Sequence, residues 1–132
     1  MSWPLVYVLF PGTARDALTY YASVFGGELS LHGYAAMGRT DGPGDAIGHG
    51  TLEGPVQLAG ADAAPGESAV TMQGVLLSLL GTDADLLRGW YAALADGGEV
   101  TDPLQRRPWG DWDGQVRDRF GLTWLVGFPH SE

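Results

Sequence analysis

Sliding the chain along itself by 71 residues lays Gly26-Gly27-Glu28 on Gly97-Gly98-Glu99. The same shift lays Tyr20 on Tyr91, and Leu5-Val6 on Leu76-Leu77. One offset thus aligns a strand, a helix and a helix stop. Such a period is expected of two copies of one supersecondary unit. Neither copy can bury both its sheet and its helix alone, so the two are expected to pack together.

The pattern inside each copy is the same. In the first, Leu5 to Phe10 is a short apolar run that reads as a buried strand ended by Pro11-Gly12. Thr13 stands where a hydroxyl can cap the next helix. Ala14 to Phe25 is helical in spacing, with Ala17, Leu18, Tyr21 and Phe25 on one face. Gly26-Gly27 stops it. Glu28 to Tyr34 alternates as a strand, with Ser30, His32 and Tyr34 on one side. Ala35 to Gly48 is a flap or a plain connection. His49 to Leu52 and Val56 to Leu58 read as two short strands joined at Gly54-Pro55, and Gly60 to Ser68 as a linker.

The second copy opens on Val75 to Leu80, again a buried strand by composition. Thr82 or Asp83 can cap the helix that follows. Leu86, Leu87, Trp90, Tyr91 and Leu94 form its apolar face. Gly97-Gly98 stops it and Glu99-Val100 begins a strand. Further strands are expected near Gly114 to Arg117 and Thr123 to Phe128, turned at Arg119-Phe120-Gly121. Each half therefore reads β, α, then three strands: an α+β chain.

Length and charge bound the function. The 132 residues suit a single domain, spanning 1–132, with repeats near 4–60 and 68–130. Cysteine is absent, so there is no disulfide, thiolate metal site or thiol nucleophile. Sixteen acids face seven bases, all arginine, for a net charge of −9. That balance disfavours nucleic acid and anionic membranes. No apolar run is long enough to span a bilayer. The opening Met1-Ser2-Trp3-Pro4 lacks a basic leader, so a cytoplasmic protein is expected.

Three segments carry a family resemblance. The first runs from Phe10-Pro11-Gly12-Thr13-Ala14-Arg15-Asp16-Ala17-Leu18 through Tyr20-Tyr21 to Val24-Phe25-Gly26-Gly27-Glu28-Leu29. The second is Ile47-Gly48-His49-Gly50-Thr51-Leu52, on to Leu58-Ala59-Gly60-Ala61-Asp62. The third, and most specific, is Pro103-Leu104-Gln105, Trp109-Gly110, then Asp118-Arg119-Phe120-Gly121-Leu122-Thr123-Trp124. Together they resemble the vicinal oxygen chelate superfamily (glyoxalase, bleomycin resistance, dioxygenase), and within it the PhnB-like branch. The resemblance implies two βαβββ modules whose eight strands curl into a cup, and a homodimer whose modules can swap between chains. In metal-using members it implies one divalent ion, held by His, Gln or Glu on the first and last strand of each module.

That metal pattern fails here. The matching positions are Val6, its repeat partner Leu77, and Leu125, none with a lone pair for a divalent ion. Their neighbours Leu5, Tyr7, Leu76, Ser78, Trp124 and Val126 include no His, Asp or Glu. No metal and no cofactor is therefore expected.

The remaining candidates are ligand contacts. His49 matches a histidine typical of the branch and can orient a ligand or act as a base. Its plainer role is a structural imidazole bonded to backbone. Gln105, Trp109 and Trp112 belong to an aromatic C-terminal third. The two tryptophans, on a Gly- and Asp-rich loop, suit a pocket wall or a subunit contact. His32 reads as a solvated or hydrogen-bonded side chain and His130 as frayed. Asp111, Asp113 and Asp118 lack the glutamate that would close a calcium loop and read as a solvated acidic stretch, with local ion pairing around Arg117 to Arg119. Ser2, Ser23, Ser30, Ser68, Ser78 and Ser131 have no nucleophile-elbow context.

The sequence thus points to a metal-free binder of small molecules, with sequestration of a toxic or antibiotic compound as one mode of action. The rival is a glyoxalase- or dioxygenase-like enzyme. It would use an unrecognised metal site, such as His49 with Glu53, or His49 alone as an acid–base group.

Overall fold

A computed structural model describes residues 4–130. Met1, Ser2, Trp3, Ser131 and Glu132, which include part of the leader reading and two of the serines above, lie outside the described residues. The chain divides after Val70 into two compact units.

The first unit runs β1 (Tyr7–Phe10), α1 (Ala14–Phe25), β2 (Glu28–Gly33), a short 3-10 turn (Ala35–Met37), β3 (Ile47–Glu53) and β4 (Leu58–Asp62). Its sheet has the order β1-β4-β3-β2, with β1 parallel to β4 and the other pairs antiparallel. The second unit runs β5 (Leu77–Leu80), α2 (Ala84–Ala95), β6 (Glu99–Arg106), β7 (Trp112–Arg117) and β8 (Thr123–Phe128). Its order is β5-β8-β7-β6, with β5 parallel to β8. The chain is therefore α+β, built from two βαβββ modules.

Each helix covers one face of its own sheet. In the first unit Ala14, Ala17, Leu18, Tyr21 and Phe25 are buried, as their helical spacing predicts. They meet Val8, Phe10 and Leu52 in the core. The contact is close enough that a Cβ on Gly50 of β3 would lie 2.6 Å from Leu18 Cδ1. In the second, Leu87, Tyr91 and Leu94 are buried with Val116, Trp124 and Val126. Burying such side chains contributes about 1.5–3 kcal/mol each. Gly26 and Gly97, the matched helix stops, both take a positive φ, 77° and 75°, which a residue with a side chain rarely adopts.

Several expectations are corrected. Thr13 makes no capping bond through its side chain. The Ala14 N–H instead donates to Asp62 Oδ1, 2.9 Å away on β4. A carboxylate distant in sequence does the work assigned to a neighbouring hydroxyl. In the second unit Asp83 is the cap, accepting from Leu86 N–H at 3.1 Å. Gly60 to Asp62 is strand, and all five residues of β4 are buried, so the linker composition there misleads. Val56 precedes β4 and is not part of it. Tyr34 leaves the β2 pattern after a bulge at His32/Gly33 and is buried, its hydroxyl donating to the Asp62 carbonyl at 2.8 Å.

β5 is not the buried strand its composition suggests: Ser78 and Leu80 are exposed and Leu77 and Leu79 half-buried, and Val75 and Leu76 just before it are exposed as well. Leu86 is exposed too, so it leaves the apolar face of α2. The 71-residue register also slips inside the helix: α1 starts at Ala14 and α2 at Ala84, a shift of 70. The buried tyrosine corresponding to Tyr91 is Tyr21, not Tyr20.

Candidate functional site

In each unit the sheet face turned away from the helix carries the polar side chains. Register fixes which residues share it, because directly paired residues point the same way. On β1, Val8 and Phe10 are buried under α1, which leaves Tyr7 on the other face beside Ala59 of β4. Thr51 of β3 and Ser30 of β2 complete that row. In the second unit Ser78 of β5 pairs with Leu125 of β8, which pairs with Gln115 of β7, which pairs with Asp102 of β6.

His49 lies half-buried on β3. Its Nδ1 is 3.0 Å from the Tyr7 hydroxyl, and the two rings stack with centroids 5.7 Å apart. The small side chains of β4, Ala59 and Ala61, separate their two strands. Partial burial raises the Tyr7 pKa above the ordinary phenol value, so the phenol stays protonated. A protonated phenol donates to an unprotonated Nδ1 or accepts from an Nδ1–H, so the imidazole tautomer sets the direction of the bond. In an alkaline absorbance titration Tyr7→Phe is expected to remove a late-titrating component. An unchanged upper limb would contradict that placement. His32 instead bonds Ser30 Oγ at 3.3 Å on the exposed edge strand.

Gln105 sits on edge strand β6, where Pro103 is tolerated because its missing donor faces no partner strand. The Gln105 amide donates to Asp102 Oδ1 at 3.0 Å and to the Pro103 carbonyl at 3.1 Å. Arg107 closes the cluster, with Nη2 2.6 Å from Asp102 Oδ2 and Nε 2.7 Å from Asp113 Oδ1. The Asp113 and Asp102 carboxylates hold its guanidinium still more firmly protonated. Asp113 is therefore a strand residue in an ion-pair network, not part of a solvated loop. The Tyr91 hydroxyl, donating to the Asp102 carbonyl at 3.0 Å, anchors this bulged stretch of β6.

Trp109 stands on the tight turn from β6 to β7, where Gly110 N–H donates to the Arg107 carbonyl, and is 69% exposed. Trp112 is not on that loop but is the first residue of β7. Its ring stacks on Phe128 at 6.2 Å, and the Arg88 guanidinium of α2 lies 4.5 Å from its centroid. The two tryptophans share a cavity of about 330 Å³ with Leu80, Leu125 and Phe128. Gln105 is not among the residues lining it, and His49 belongs to the first unit. A larger cavity, about 630 Å³, lies wholly in the first unit between Pro11, Tyr34, Pro43 and Pro65, with Arg15 and Asp45 on its wall.

Two buried carboxylates went unrecognised as such in the sequence. Asp62 Oδ1 and Oδ2 accept from Ala14 and Ile47 N–H groups, each at 2.9 Å. Asp118, expected in a solvated acidic stretch, is only 3% exposed. It accepts from Phe120 N–H (2.8 Å), Leu122 N–H (3.2 Å) and Trp124 Nε1–H (2.8 Å). Arg119 reaches back to Asp96, with Nη2 2.8 Å from its carbonyl.

The model of the Glyoxalase/Bleomycin resistance protein/Dioxygenase superfamily matches residues 4–126. The chain belongs to that superfamily. Among its relatives is Protein YjdN of Escherichia coli (strain K12), 28% identical over 91% of this chain and 90% of the relative. Protein PA1353 from Pseudomonas aeruginosa is also 28% identical, with a TM-score of 0.82 over 99% of this chain and 100% of that one. The PhnB protein from Bacillus cereus shares the fold at a TM-score of 0.76 and 17% identity, covering 98% of this chain and 100% of its own.

A divalent ion at the superfamily's usual place does not fit these residues. With the register known, the paired positions of the first and last strand of each unit that face away from the helices are Tyr7 beside Ala59 and Ser78 beside Leu125, in place of the expected Val6 and Leu77. They supply two neutral hydroxyls, a methyl and an isobutyl group, and no imidazole or carboxylate. His49 and Glu53 are four residues apart on one strand, roughly 13 Å by strand rise, too far to chelate one ion. Among the described residues no three His, Cys, Asp or Glu side chains converge as a metal site. No described helix is long and apolar enough to cross a membrane.

Proposed function

We propose that this superfamily member is a PhnB-like protein that binds a small organic molecule without a metal, acting in the cytoplasm as a homodimer. One observation carries the reading. Leu125, at a position where metal-using relatives place a ligand, is here part of the wall of the cavity that Trp109 and Trp112 line. A donor site has given way to apolar surface. Aliphatic and aromatic walls with a few placed polar groups suit a ligand held by burial and stacking. Sequestration of a toxic or antibiotic compound is the activity such binding supports. The exposed Leu76, Leu80 and Trp109 are the kind of surface a second copy covers.

A panel of metabolites and antibiotics, read by heat stability, tests this. A saturable rise in Tm with at least one aromatic compound is expected, and Trp112→Ala should abolish it. A flat response across the panel would remove the reading's main support. Trp112→Ala that alters mass in solution but no ligand response would make the tryptophans assembly contacts alone.

A second reading rests on the Tyr7–His49 bond. With Nδ1 held by the phenol, His49 Nε2 is oriented for proton transfer, as an acid–base enzyme needs. A turnover that falls steeply in both His49→Gln and Tyr7→Phe would favour it over simple binding.

A further inference from the structure

We infer that Arg117 receives the carboxylate of a small monoanionic ligand, in a cavity of about 420 Å³ on the second unit. Its lining shares no residue with the cavity of Trp109 and Trp112, so this is a further binding site, beyond the reading above.

The seven arginines are unequally employed. Arg39, Arg107 and Arg119 are ion-paired with Asp41, with Asp102 and Asp113, and with Asp96. Arg88 lies over the rings of Trp112 and Phe128. The side chains of Arg15, Arg106 and Arg117 make no ion pair among the described residues. Arg15 lines the first unit's cavity among Asp16, Asp45, Asp62 and Glu67, and Arg106 lines none of the cavities described. Arg117, opposite Glu99 in the β6–β7 register, lines one with no carboxylate in its wall. A cation with no ion pair, beside a cavity with no acid in its wall, is available to a ligand.

Its surroundings suit a carboxylate. Thr101 and Gln115 line the same cavity, adding a hydroxyl and an amide donor. Met72 and Leu76 supply an apolar wall. Thr123 also lines it, but its hydroxyl is already committed to the Val75 carbonyl, which ties the 72–76 segment to β8. A guanidinium offers paired N–H groups in the plane of a carboxylate, and it stays charged at every pH of interest. The apolar wall accounts for the rest of the ligand. A cavity of this size is in the range that small ligands fill. The net charge of −9 sets the ligand's charge as well: one local cation offsets one negative charge, whereas a dianion meets net repulsion.

Calorimetric titration of the full chain with benzoate, benzamide, benzylamine and phenyl phosphate tests the assignment. Benzoate is expected to bind saturably and more tightly than the other three. Arg117→Gln should weaken benzoate about tenfold or more, the loss expected for a charge-assisted hydrogen bond. Arg117→Lys should fall between, and both variants should keep the wild-type circular dichroism because the side chain is exposed. Benzamide or phenyl phosphate binding as tightly as benzoate, or Arg117→Gln binding benzoate unchanged, overturns the inference while leaving the binding reading intact. Silence from all four compounds overturns it too, and the binding reading falls with it only if the wider panel is also silent.

Discussion

Asp118→Ala is expected to lower the free energy of unfolding by about 3–5 kcal/mol, since it orphans buried donors at about 1–3 kcal/mol apiece. Three donors converge on this one buried carboxylate: two backbone N–H groups of the β7–β8 turn and the indole of Trp124. The loss is a large share of the ~5–15 kcal/mol that holds a domain together. Urea denaturation reads it directly as a lower midpoint at unchanged slope. Asp118→Asn refines the test. An amide can keep its oxygen on the two backbone donors, but its NH2 then faces the indole N–H, donor against donor. In a Trp124→Phe background that clash is gone, so Asp118→Asn should cost clearly less there. Equal costs in both backgrounds would mean that the indole bond does not matter. A cost for Asp118→Ala below about 1 kcal/mol, the size of an ordinary surface change, would sink the whole assignment.

Asp62→Ala should cost about 2–4 kcal/mol, because two buried backbone donors lose their acceptor at once. One carboxylate ties three elements together. It caps α1 through Ala14, starts β3 through Ile47, and lies at the end of β4. Amide hydrogen exchange gives the sharper readout: the Ala14 and Ile47 amides should lose protection while Leu52, near the far end of β3, keeps it. Asp62→Asn retains one acceptor and should lose protection at only one of the two. Uniform loss across the unit in Asp62→Ala would indicate global destabilisation and not a local tie.

These two residues show where the sequence was legible and where it was not. Helix α1 was readable to the residue, because its apolar spacing and its Gly26-Gly27 stop are local signals. β8 was equally plain as an apolar run after a glycine turn. The repeat gave the order of elements, and the Asp118 to Trp124 segment pointed to the superfamily. What stayed hidden depends on distant pairing. Asp62 caps a helix 48 residues earlier in the chain, and a hydroxyl at Thr13 is the obvious local choice. Asp118, flanked by two arginines and preceded by other acids, looks solvated until the turn folds around it. Composition failed at β5, an edge strand of its sheet, where leucine-rich sequence leaves Leu80 exposed, and Leu76 just before it.

The candidate site follows the same division. Trp109 and Trp112 were singled out because large apolar residues near glycine and aspartate need a reason, and they do share a cavity. The Tyr7 partner of His49 was invisible, since 42 residues and an intervening strand separate them. Arg117 was noticed only for its charged neighbours. That it forms no ion pair, though the register sets Glu99 opposite, is a property of the folded chain.

The proposed metal-free chemistry rests on the absence of imidazole and carboxylate side chains at Tyr7, Ala59, Ser78 and Leu125. Elemental analysis of protein produced in metal-replete medium, purified without chelator, tests it most directly. The predicted result is far substoichiometric manganese, iron, nickel and zinc. Near-stoichiometric content of any one of them, retained through gel filtration, would contradict it.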